Sequence, residues 1–428
     1  MINEIHKQGD CGCPDDNSYM APLHLAGRLI MENGGETYRV EETITRMGRS
    51  FGFTEVESFA VPSGIFISYR KSDGSIETAV KRVRRKGTDL TRVDAVNAVS
   101  RRMEAEKLTC EEVMALLKEI ETRPAKLTQM QLILAVAMSS AGWAIMFGGR
   151  VMDAVISFFV AFLSQILAFQ LDKAGMRSFV STLMGSLIGT LLPMIFNHFT
   201  GLLMVEASVA ACLKPYRRGG YPGHDQCRAG YPPRRYGIRH FLGHQRGADR
   251  QHDRRRRPGR LFDLQAADGR CAAVTGLLTI FLNGLIKLLS SFVGTLGFAI
   301  FMHAPKRAWI PASLIGGVAY ALYWALLEFG VYEPTAIFIG ALLGSMLGQY
   351  LARRMQMIAS IFVLLAMIPL VPGLGLYRCM HYLAQEMYSA GANAGVRAMV
   401  DVVMIALGIA VGSYAFRLIA RPRKEAAK

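Results

Sequence analysis

The sequence has few cysteines and no residue pattern typical of a metal site or a nucleotide site. Its seven cysteines are scattered along 428 residues, and we interpret the one close pair, Cys11 and Cys13, as thiols rather than metal ligands. No Walker loop, dinucleotide fingerprint or nucleophile–base pair is present, so the sequence predicts no enzyme, no ATP-driven pump, no cofactor and no metal. The first thirty residues also lack the apolar core expected of a signal peptide.

Apolar residues, by contrast, are abundant. They make up 51% of the chain, charged residues make up 19%, and the mean hydropathy is +0.25. Runs of about twenty apolar residues are long enough to cross a bilayer, and they predict a polytopic α-helical membrane protein. The predicted spans are 127–147, 151–171, 179–196, 286–304, 309–329, 335–351, 357–376 and 398–416, and a further span begins at Gly201 and breaks off at Leu213.

The first part of the chain has the composition of a soluble domain. Residues 1–20 are polar and predict a disordered tail, as residues 421–428 predict a basic one. The pattern between residues 21 and 123 predicts a small α+β domain, long enough to bury its own core. Its predicted elements are a helical region at 23–47 broken near 33–35, strands at 59–69 and 76–83 joined by a turn at 72–75, and helices at 91–105 and 109–122.

A basic segment at residues 213–273 interrupts the apolar pattern. It holds 15 Lys/Arg and 5 Asp/Glu, so it supplies most of the net charge of +16. One interpretation is a disordered loop that binds nucleic acid or anionic lipid. The other is coding sequence read out of frame, because shifting each back-translated codon by one base permits an apolar span here. We favour two compensating frameshifts, near Leu213 and Ala273. This interpretation predicts no nucleic-acid partner and leaves open whether the chain as written is active.

The two groups of spans repeat one another. Residues 142–147 end the first span of the first half, and residues 297–302 end the first span of the second half, 155 positions later. Pro222-Gly223 likewise precedes Pro372-Gly373 by 150 positions. With the lost span restored, a disrupted first half (124–212) and a complete second half (274–420) predict two five-helix inverted repeats. Placing the N-terminal domain in the cytosol then puts most Lys and Arg of the loops inside, apart from Arg150.

The break in the span at 357–376 is the first candidate site. Pro369 and Pro372 remove backbone donors, and with Val371 and Gly373 they interrupt the helix at membrane depth. Broken backbone persists there only where protein or a water-filled cavity covers it. The exposed amides and carbonyls of such helix ends can hold the carboxylate and ammonium of a small amino acid, so we predict that these four residues bind substrate. The alternative is a kinked helix without a ligand.

Three carboxylates inside apolar spans are candidates for a coupling proton or a substrate pathway: Asp401, Asp153 and Glu206. The pattern places Asp401 near the first turn of the last span and Asp153 near the start of the second. The alternative for both is a position at the membrane interface, where a helix N-terminus stabilises a carboxylate. Glu206 lies in mid-span but adjoins the basic segment.

A polar motif of the N-terminal domain comprises Tyr38, Arg39, Glu41 and Glu42, which fall on one predicted helix. Arg39 and Glu42 are three residues apart, so one interpretation is a surface ion pair. The other is a regulatory or gating contact with the membrane region.

Residues 33–44 (NGGETYRVEETI), the turn at 48–52 and the break at Pro369–Gly373 resemble the bacterial threonine/serine exporter family. The resemblance covers about 21–212 and 282–420, and it implies that the N-terminal and C-terminal components of that family are fused in this chain. The basic segment is where the chain departs from the family pattern.

The resemblance implies a secondary transporter that exports threonine and serine across the bacterial inner membrane, with the N-terminal domain in the cytosol. Proton coupling follows by exclusion of ATP. The partners expected are a small-molecule substrate and the lipid bilayer, and a homo-oligomer is left open. One alternative is a dicarboxylate exporter of the succinate type on the same scaffold. An alternative of another class is a membrane-anchored hydrolase or regulatory protein that acts through its N-terminal domain.

Overall fold

The computed structural model describes residues 19–53, 55–71, 74–83, 87–106, 108–123, 127–174, 178–200 and 261–419. Within these ranges a small α+β domain precedes a helical membrane region. The elements of the domain are α1 (Met20–Glu32), α2 (Thr37–Ser50), β1 (Val56–Val61), β2 (Gly64–Arg70), β3 (Ile76–Arg82), α3 (Leu90–Ala105) and α4 (Cys110–Thr122). Those of the membrane region are α5 (Gln129–Met146), α6 (Val151–Lys173), α7 (Ser178–Thr200), α8 (Leu261–Phe301), α9 (Lys306–Glu328), α10 (Glu333–Met355), α11 (Ala359–Met367), a 3₁₀ turn (Ile368–Leu370), α12 (Gly373–Ala384) and α13 (Tyr388–Ile419).

The helical region predicted at 23–47 is a pair of helices with the predicted break between them. Gly34 adopts a φ of 85°, which glycine tolerates without a Cβ clash, and Asn33 Nδ2 donates to the carbonyl of Leu29 at 2.7 Å. The reversal lets α1 and α2 pack against the same side of the sheet, where Ile44 and Ile65 are fully buried. These apolar contacts form the core of the domain.

The single strand predicted at 59–69 is wrong, because this segment holds two strands and a tight turn. Pro62 and Ser63 connect β1 to β2, and the sheet is antiparallel in the order β1-β2-β3. Across the two-residue turn, odd-numbered residues of β1 share a face with even-numbered residues of β2. The residues of the sequence nevertheless alternate without a break from 59 to 69, and this pattern concealed the turn. Phe59 and Phe66 therefore pair on the outer face of the sheet, where both are exposed. The predicted hairpin between β2 and β3 is confirmed.

Six helices in the described part of the chain are long and apolar enough to cross a membrane, which confirms the prediction of a polytopic helical protein. The pair α11–α12 is a seventh candidate, bent by 45° at its break, whereas α7 has a shorter apolar segment, Leu183–His198. The predicted last span is too short, because α13 begins at Tyr388 and runs for 32 residues. The six segments are Gln129–Met146, Val151–Leu171, Ile280–Phe301, Lys306–Glu328, Glu333–Met355 and Tyr388–Ile419.

Several predictions concern residues outside the described ranges. These are the tail at 1–18, Glu206, Pro222-Gly223, the basic segment as far as residue 260, and the chain after residue 419. Residues 261–273, which we expected to be disordered, lie in the N-terminal part of α8.

The three described helices of the first half match the first three of the second half in position. Helix α5 ends at Met146 and α8 ends at Phe301, an offset of 155 residues. With the same offset, both ends of α6 coincide with those of α9 and both ends of α7 with those of α10, and all four helices have 23 residues. The repeat seen in the sequence is therefore also a repeat of helix lengths and loops.

The loops that follow α5 and α8 have the same hydrogen bonds. Gly148 N donates to Ile145 O at 2.9 Å, and at the equivalent positions His303 N donates to Ile300 O at 3.0 Å. Gly148 has a φ of 93° and His303 a φ of 52°, so both helices end on a left-handed residue. A non-glycine residue in this conformation is uncommon. The left-handed conformation at both Gly148 and His303 therefore reflects an equivalent backbone in the two loops rather than an equivalent side chain.

Helices α5 and α8 pack against each other in antiparallel orientation. The carbonyl of Ala135, near the start of α5, faces Gly297, near the end of α8. At the other end of the pair, Lys287 Nζ donates to the carbonyl of Met146, the last residue of α5, at 2.7 Å. The ammonium thereby caps the negative end of the α5 dipole, to which Tyr320 of α9 also donates at 3.2 Å. Side chains of the second half thus complete a helix end of the first half.

Reciprocal glycine contacts hold α5 and α8 together. A Cβ built on Gly142 would lie 2.6 Å from the backbone nitrogen of Gly294, and one built on Gly297 would lie 2.3 Å from the carbonyl of Ala135. Only glycine allows backbones this close. Gly142 also faces Ser290, and Ser290 is the counterpart of Ala135 under the same offset. Each helix therefore offers the other the same set of positions.

Candidate functional site

The predicted break in the second half is confirmed. Helix α11 ends at Met367, a 3₁₀ turn covers Ile368–Leu370, and α12 begins at Gly373 in a direction 45° away. Pro369 cannot donate to the carbonyl of Leu365, and Pro372 cannot donate to that of Ile368. The nitrogen of Val371 donates to Ile368 O at 3.3 Å, so the second loss is made good locally.

The carbonyl of Leu365 points towards a polar spot between α8, α9 and α11. It lies 3.3 Å, and Thr295 Oγ1 3.0 Å, from the position that a Cβ on Gly316 would take. Thr295 is fully buried, and its hydroxyl has no hydrogen-bond partner among the described residues. The absence of a side chain at Gly316 brings these two polar groups to the same place. This acceptor and donor are what a broken membrane helix offers to a ligand or ion.

The four predicted binding residues differ in exposure. Pro369 is buried against α9 and α10, whereas Val371, Pro372 and Gly373 are half-buried. A Cβ built on Gly373 would meet no atom within 4 Å, so open space adjoins the start of α12. The break therefore has a packed side, at Pro369, and an accessible side, at Gly373.

Asp401 is buried in the middle part of α13, with 7% of its surface exposed. Its predicted position near the first turn is wrong, because the helix begins at Tyr388, more than three turns earlier. Stabilisation by a helix N-terminus does not apply at this depth. The charges that act on Asp401 come from Glu333 and Arg397, and Tyr323 donates to Glu333 at 3.3 Å. The structure thus groups Asp401 with polar residues of α9 and α10.

Asp153 is fully buried in the first turn of α6. Its Oδ2 accepts a hydrogen bond from the backbone nitrogen of Arg150 at 2.7 Å, so the carboxylate caps the helix start. This geometry agrees with the alternative of a stabilised helix terminus. Glu206, the third candidate carboxylate, lies outside the described residues.

The polar motif of the soluble domain lies against the membrane region. Glu36, Tyr38, Arg39 and Glu42, at the start of α2, line a cleft of ≈ 540 Å³ between the domain and the ends of α10, α11 and α13. The membrane region contributes polar residues to the opposite wall, among them Gln349, Arg353, Gln356, Ser413 and Arg417. We call this space the interdomain cleft. It brings together residues that are more than 300 positions apart, which spacing in the sequence does not reveal.

Arg39 is the most enclosed charged side chain of the motif, at 12% exposure. Its guanidinium lies 4.0 Å from the carboxylates of both Glu36 and Glu42, and its centre lies 5.3 Å from the Tyr38 ring centroid. The Nε donor of Arg39 is buried and has no hydrogen-bond partner among the described residues. The predicted pairing of Arg39 with Glu42 is present on the wall of the cleft, where Arg39 is largely enclosed and Glu42 is half exposed.

Glu41 does not join this group. Its Oε1 accepts from the backbone nitrogen of Ala60 at 2.9 Å, and its own carbonyl accepts from Ser58 Oγ at 3.4 Å. Both bonds tie α2 to β1. Glu41 therefore supports the fold of the domain, while its neighbours in the sequence face the membrane region.

Helix α3 docks the domain onto the membrane region through residues that the sequence did not single out. Thr91 donates twice to the carbonyl of His303, from its nitrogen at 3.0 Å and its hydroxyl at 2.7 Å. Arg101 Nη1 donates to Gln356 Oε1 at 3.0 Å. Asp94, between them on the same face of α3, accepts from the backbone nitrogen of Ile358. One helix face thus holds the loops before α9 and α11.

The environment of Asp94 perturbs its carboxyl group. Burial raises the pKa of Asp94 above its ordinary value, and the bond from Ile358 and the charges of Arg101, Arg307 and Arg39 oppose that rise. Asp94 is thus a partly buried acid, influenced by three arginines, where the domain meets the membrane helices. Among the described residues, no group of three or more His, Cys, Asp or Glu is placed to hold a metal ion.

Comparison with known families gives matches on both sides of the basic segment. A model described as threonine/serine exporter matches residues 23–215, which include the soluble domain and α5–α7. A second model, described as threonine/serine exporter, ThrE, matches residues 287–415, from within α8 to near the end of α13. No solved structure matches the chain.

Proposed function

Because the chain belongs to the threonine/serine exporter family, we propose that it is a secondary transporter that moves threonine and serine out of the bacterial cytosol across the inner membrane. The observation that carries the proposal is that models of both parts of the family match one fused chain, and members of the family are transporters rather than enzymes. These matches give no support to a dicarboxylate substrate or to an enzymatic N-terminal domain.

We propose that the two halves are inverted repeats. The shared offset of α5–α7 and α8–α10 and the antiparallel packing of α5 on α8 both support this arrangement. Trp143 also contacts Phe298, its own counterpart, with ring centroids 5.8 Å apart. Equivalent positions touch each other only where a two-fold axis passes between them. An axis perpendicular to two antiparallel membrane helices lies in the membrane plane, as in known inverted-repeat transporters.

We place the soluble domain in the cytosol. The ends of α8, α9, α10 and α11 that contact α3 lie on the domain's side, and Lys306, Arg307, Arg353 and Arg354 lie at or next to these ends. Cytosolic loops of membrane proteins carry an excess of Lys and Arg. Arg417, near the end of α13, lines the cleft on the same side.

We propose that the amino acid binds at the break of α11–α12 and that Asp401 carries the coupling proton. Gly375 of α12 packs against Ala398, which lies less than one turn from Asp401 on α13. A change of charge on Asp401 therefore acts next to the half-helix whose start is open at Gly373. Buried carboxylates that face the interior of a helix bundle are typical proton carriers in transporters. Asp153 and Glu206 are proposed as further pathway residues, and Asp153 also caps the start of α6.

We also propose that residues 213–273 are translated out of frame. The first half shows three helices with counterparts in the second half, and the basic segment begins where the counterpart of the break at Ile368–Leu370 is expected, ahead of those of α12 and α13. The proposal predicts an apolar reading frame in the coding DNA across this stretch, and it predicts that the chain as written does not transport. Coding DNA without an apolar reading frame across this stretch would refute the frameshift without affecting the family assignment.

Efflux from cells loaded with labelled threonine tests the function. A chain with the frame restored is expected to export threonine, and the chain as written and an empty vector are not. Replacing Asp401 by Asn should abolish export driven by a pH gradient but preserve threonine–threonine exchange, because exchange needs no net proton movement. Equal efflux from the restored chain, the chain as written and the empty vector would exclude the exporter function for this chain.

A second variant tests the binding site. Gly373→Ala adds a methyl group to open space, so we expect unchanged thermal stability and reduced export. Gly284→Ala is the matched control, since its Cβ approaches only the Trp324 ring, at 3.3 Å, away from the break. Full export by Gly373→Ala would argue against substrate binding at the start of α12.

A further inference from the structure

We propose that the interdomain cleft is the intake site of the exporter, where a free α-amino acid is bound as a zwitterion before it enters the membrane region. The inference rests on the proposed function and adds to it, because it makes the soluble domain part of the substrate pathway. The cleft has a volume of ≈ 540 Å³ and is lined by both the domain and three membrane helices. This volume lies within the range typical of small-molecule sites.

The charges of the cleft match those of an amino acid. Arg39, Arg101, Arg353 and Arg417 line it together with Glu36 and Glu42. Guanidinium groups bind carboxylates through paired N–H donors, and a carboxylate binds an ammonium group. Carboxylates on the wall would repel a simple anion, whereas a site for a zwitterion needs both signs of charge. The two acids therefore favour an amino acid over a phosphate or a lipid headgroup.

Two donors of the cleft are positioned for the substrate carboxylate. Arg39 has its buried Nε without a hydrogen-bond partner among the described residues, and its ion pairs with Glu36 and Glu42 are long, at 4.0 Å. Arg101 lines the cleft and uses Nη1 for Gln356, at 3.0 Å. A buried donor left unpaired costs free energy, which a bound carboxylate recovers.

For the ammonium group, Glu36 is the better placed acid. Its carboxylate is 47% exposed, lies 4.0 Å from Arg39 and accepts a hydrogen bond from Tyr38, whereas Glu42 is paired with the full charge of Arg46 at 2.7 Å. Tyr38, between the two acids in sequence, places its ring against Arg39 and so restricts the position of that guanidinium. The motif at the start of α2 thus supplies both ends of the zwitterion site.

The cleft continues towards the break along α11. Val363 lines the cleft, and Pro369 follows it by less than two turns, or about 9 Å of helix. On the facing helices, Ser345 Oγ lies 3.2 Å from Ser413 Oγ and accepts from Gln349 Nε2 at 3.5 Å. Gln349 and Ser413 line the cleft, so this group of uncharged polar side chains extends its polar wall to the contact between α10 and α13.

The test is equilibrium binding of labelled L-threonine to the full chain in nanodiscs of neutral phosphatidylcholine. We expect Arg39→Gln and Arg101→Gln each to weaken binding about tenfold or more, since each removes a charged hydrogen bond to the carboxylate. Arg102→Gln is the matched control, because Arg102 adjoins Arg101 but pairs with Glu106 at 2.8 Å outside the cleft. Arg101→Lys, which keeps the charge, should restore part of the affinity. Thermal unfolding of each variant confirms that it is folded.

Analogues and lipids separate the outcomes. Threonine amide, which lacks the carboxylate, should bind weakly to the unaltered chain and should be insensitive to Arg101→Gln. Equal threonine affinity of the unaltered chain, Arg39→Gln and Arg101→Gln would overturn the inference. So would an effect of these variants that appears only with phosphatidylglycerol in the nanodisc, which would assign the cleft to a lipid headgroup. With the same substitutions in the chain whose frame is restored, threonine export that persists with unchanged concentration dependence would refute the intake site and leave the exporter function intact.

Discussion

The close contact between α5 and α8 predicts that a single methyl group added at Gly142 pushes these two helices apart, and with them the two halves. In the structure a Cβ at this position lies 2.6 Å from Gly294 N and 2.8 Å from Ser290 O, both rigid backbone atoms. Ordinary contact begins near 3.4 Å, so Gly142→Ala forces a shift of about 0.8 Å between the helices. Overpacking of this kind costs about 1–3 kcal/mol.

Helix propensity acts in the opposite direction, because alanine stabilises a helix interior by about 1 kcal/mol relative to glycine. The control must therefore be another Gly→Ala change inside a helix, and Gly284→Ala in α8 serves because its Cβ meets only a side chain, at 3.3 Å. We expect the unfolding free energies of Gly142→Ala and Gly284→Ala to differ by about 1–3 kcal/mol. The measurement is thermal unfolding of the full chain in one detergent.

The reciprocal contact adds a second expectation. Gly297→Ala should destabilise the protein as Gly142→Ala does, and the double variant should lose less than the sum, because helices already separated by one methyl group leave room for the other. Equal stability of Gly142→Ala and Gly284→Ala would show that the two backbones do not approach this closely. Strictly additive losses would show that the two glycines do not share one interface.

Three further predictions concern other parts of the chain. Pro369→Ala restores a backbone donor to the break and should raise thermal stability while lowering threonine export; lower stability would contradict it. Asp94 has a raised pKa in the folded protein, so the stability it contributes is complete below its ordinary value of 3.8 and is lost as the pH rises through the folded-state pKa. The melting temperature of Asp94→Asn should therefore fall less than that of the unaltered chain as the pH rises from 3.8, and parallel pH profiles would refute this. Thr109→Ala removes the capping box of α4 and should cost about 1 kcal/mol, against a smaller loss for Thr122→Ala at its exposed C-terminal end.

Much of the architecture could be predicted from the sequence because the signals are local. Runs of apolar residues set the membrane helices, and two prolines set the break after Met367. The sequence was misleading where a local pattern had two solutions. The strand predicted at 59–69 kept its alternation through a two-residue turn. The start of α13 was predicted ten residues too late, because its first turns are rich in glycine and alanine rather than in large apolar residues.

The interdomain cleft could be predicted only in part. The motif around Arg39 was visible, and a contact with the membrane region was one of its two interpretations. Its partners Arg101 and Gln356 were not, because α3 meets the loop before α11 only through the tertiary fold. Nothing local distinguishes Arg101, which faces the cleft, from Arg102, which pairs with Glu106 one turn later. The positions of Arg101 and Arg102 around the helix axis would have distinguished the two residues only if the docking face of α3 had been known.

The bond from Lys287 to the last carbonyl of α5 also bears on how the chain is made. The two residues are 141 positions apart, so α5 leaves the ribosome roughly 7–28 s before the ammonium that caps it, at about 5–20 residues per second. During that interval its C-terminal carbonyls and Gly142, which faces α8, have no partner from the second half. Insertion of the first half therefore precedes its completion, and a chaperone or insertase that shields α5 has its longest opportunity before α8 is synthesised.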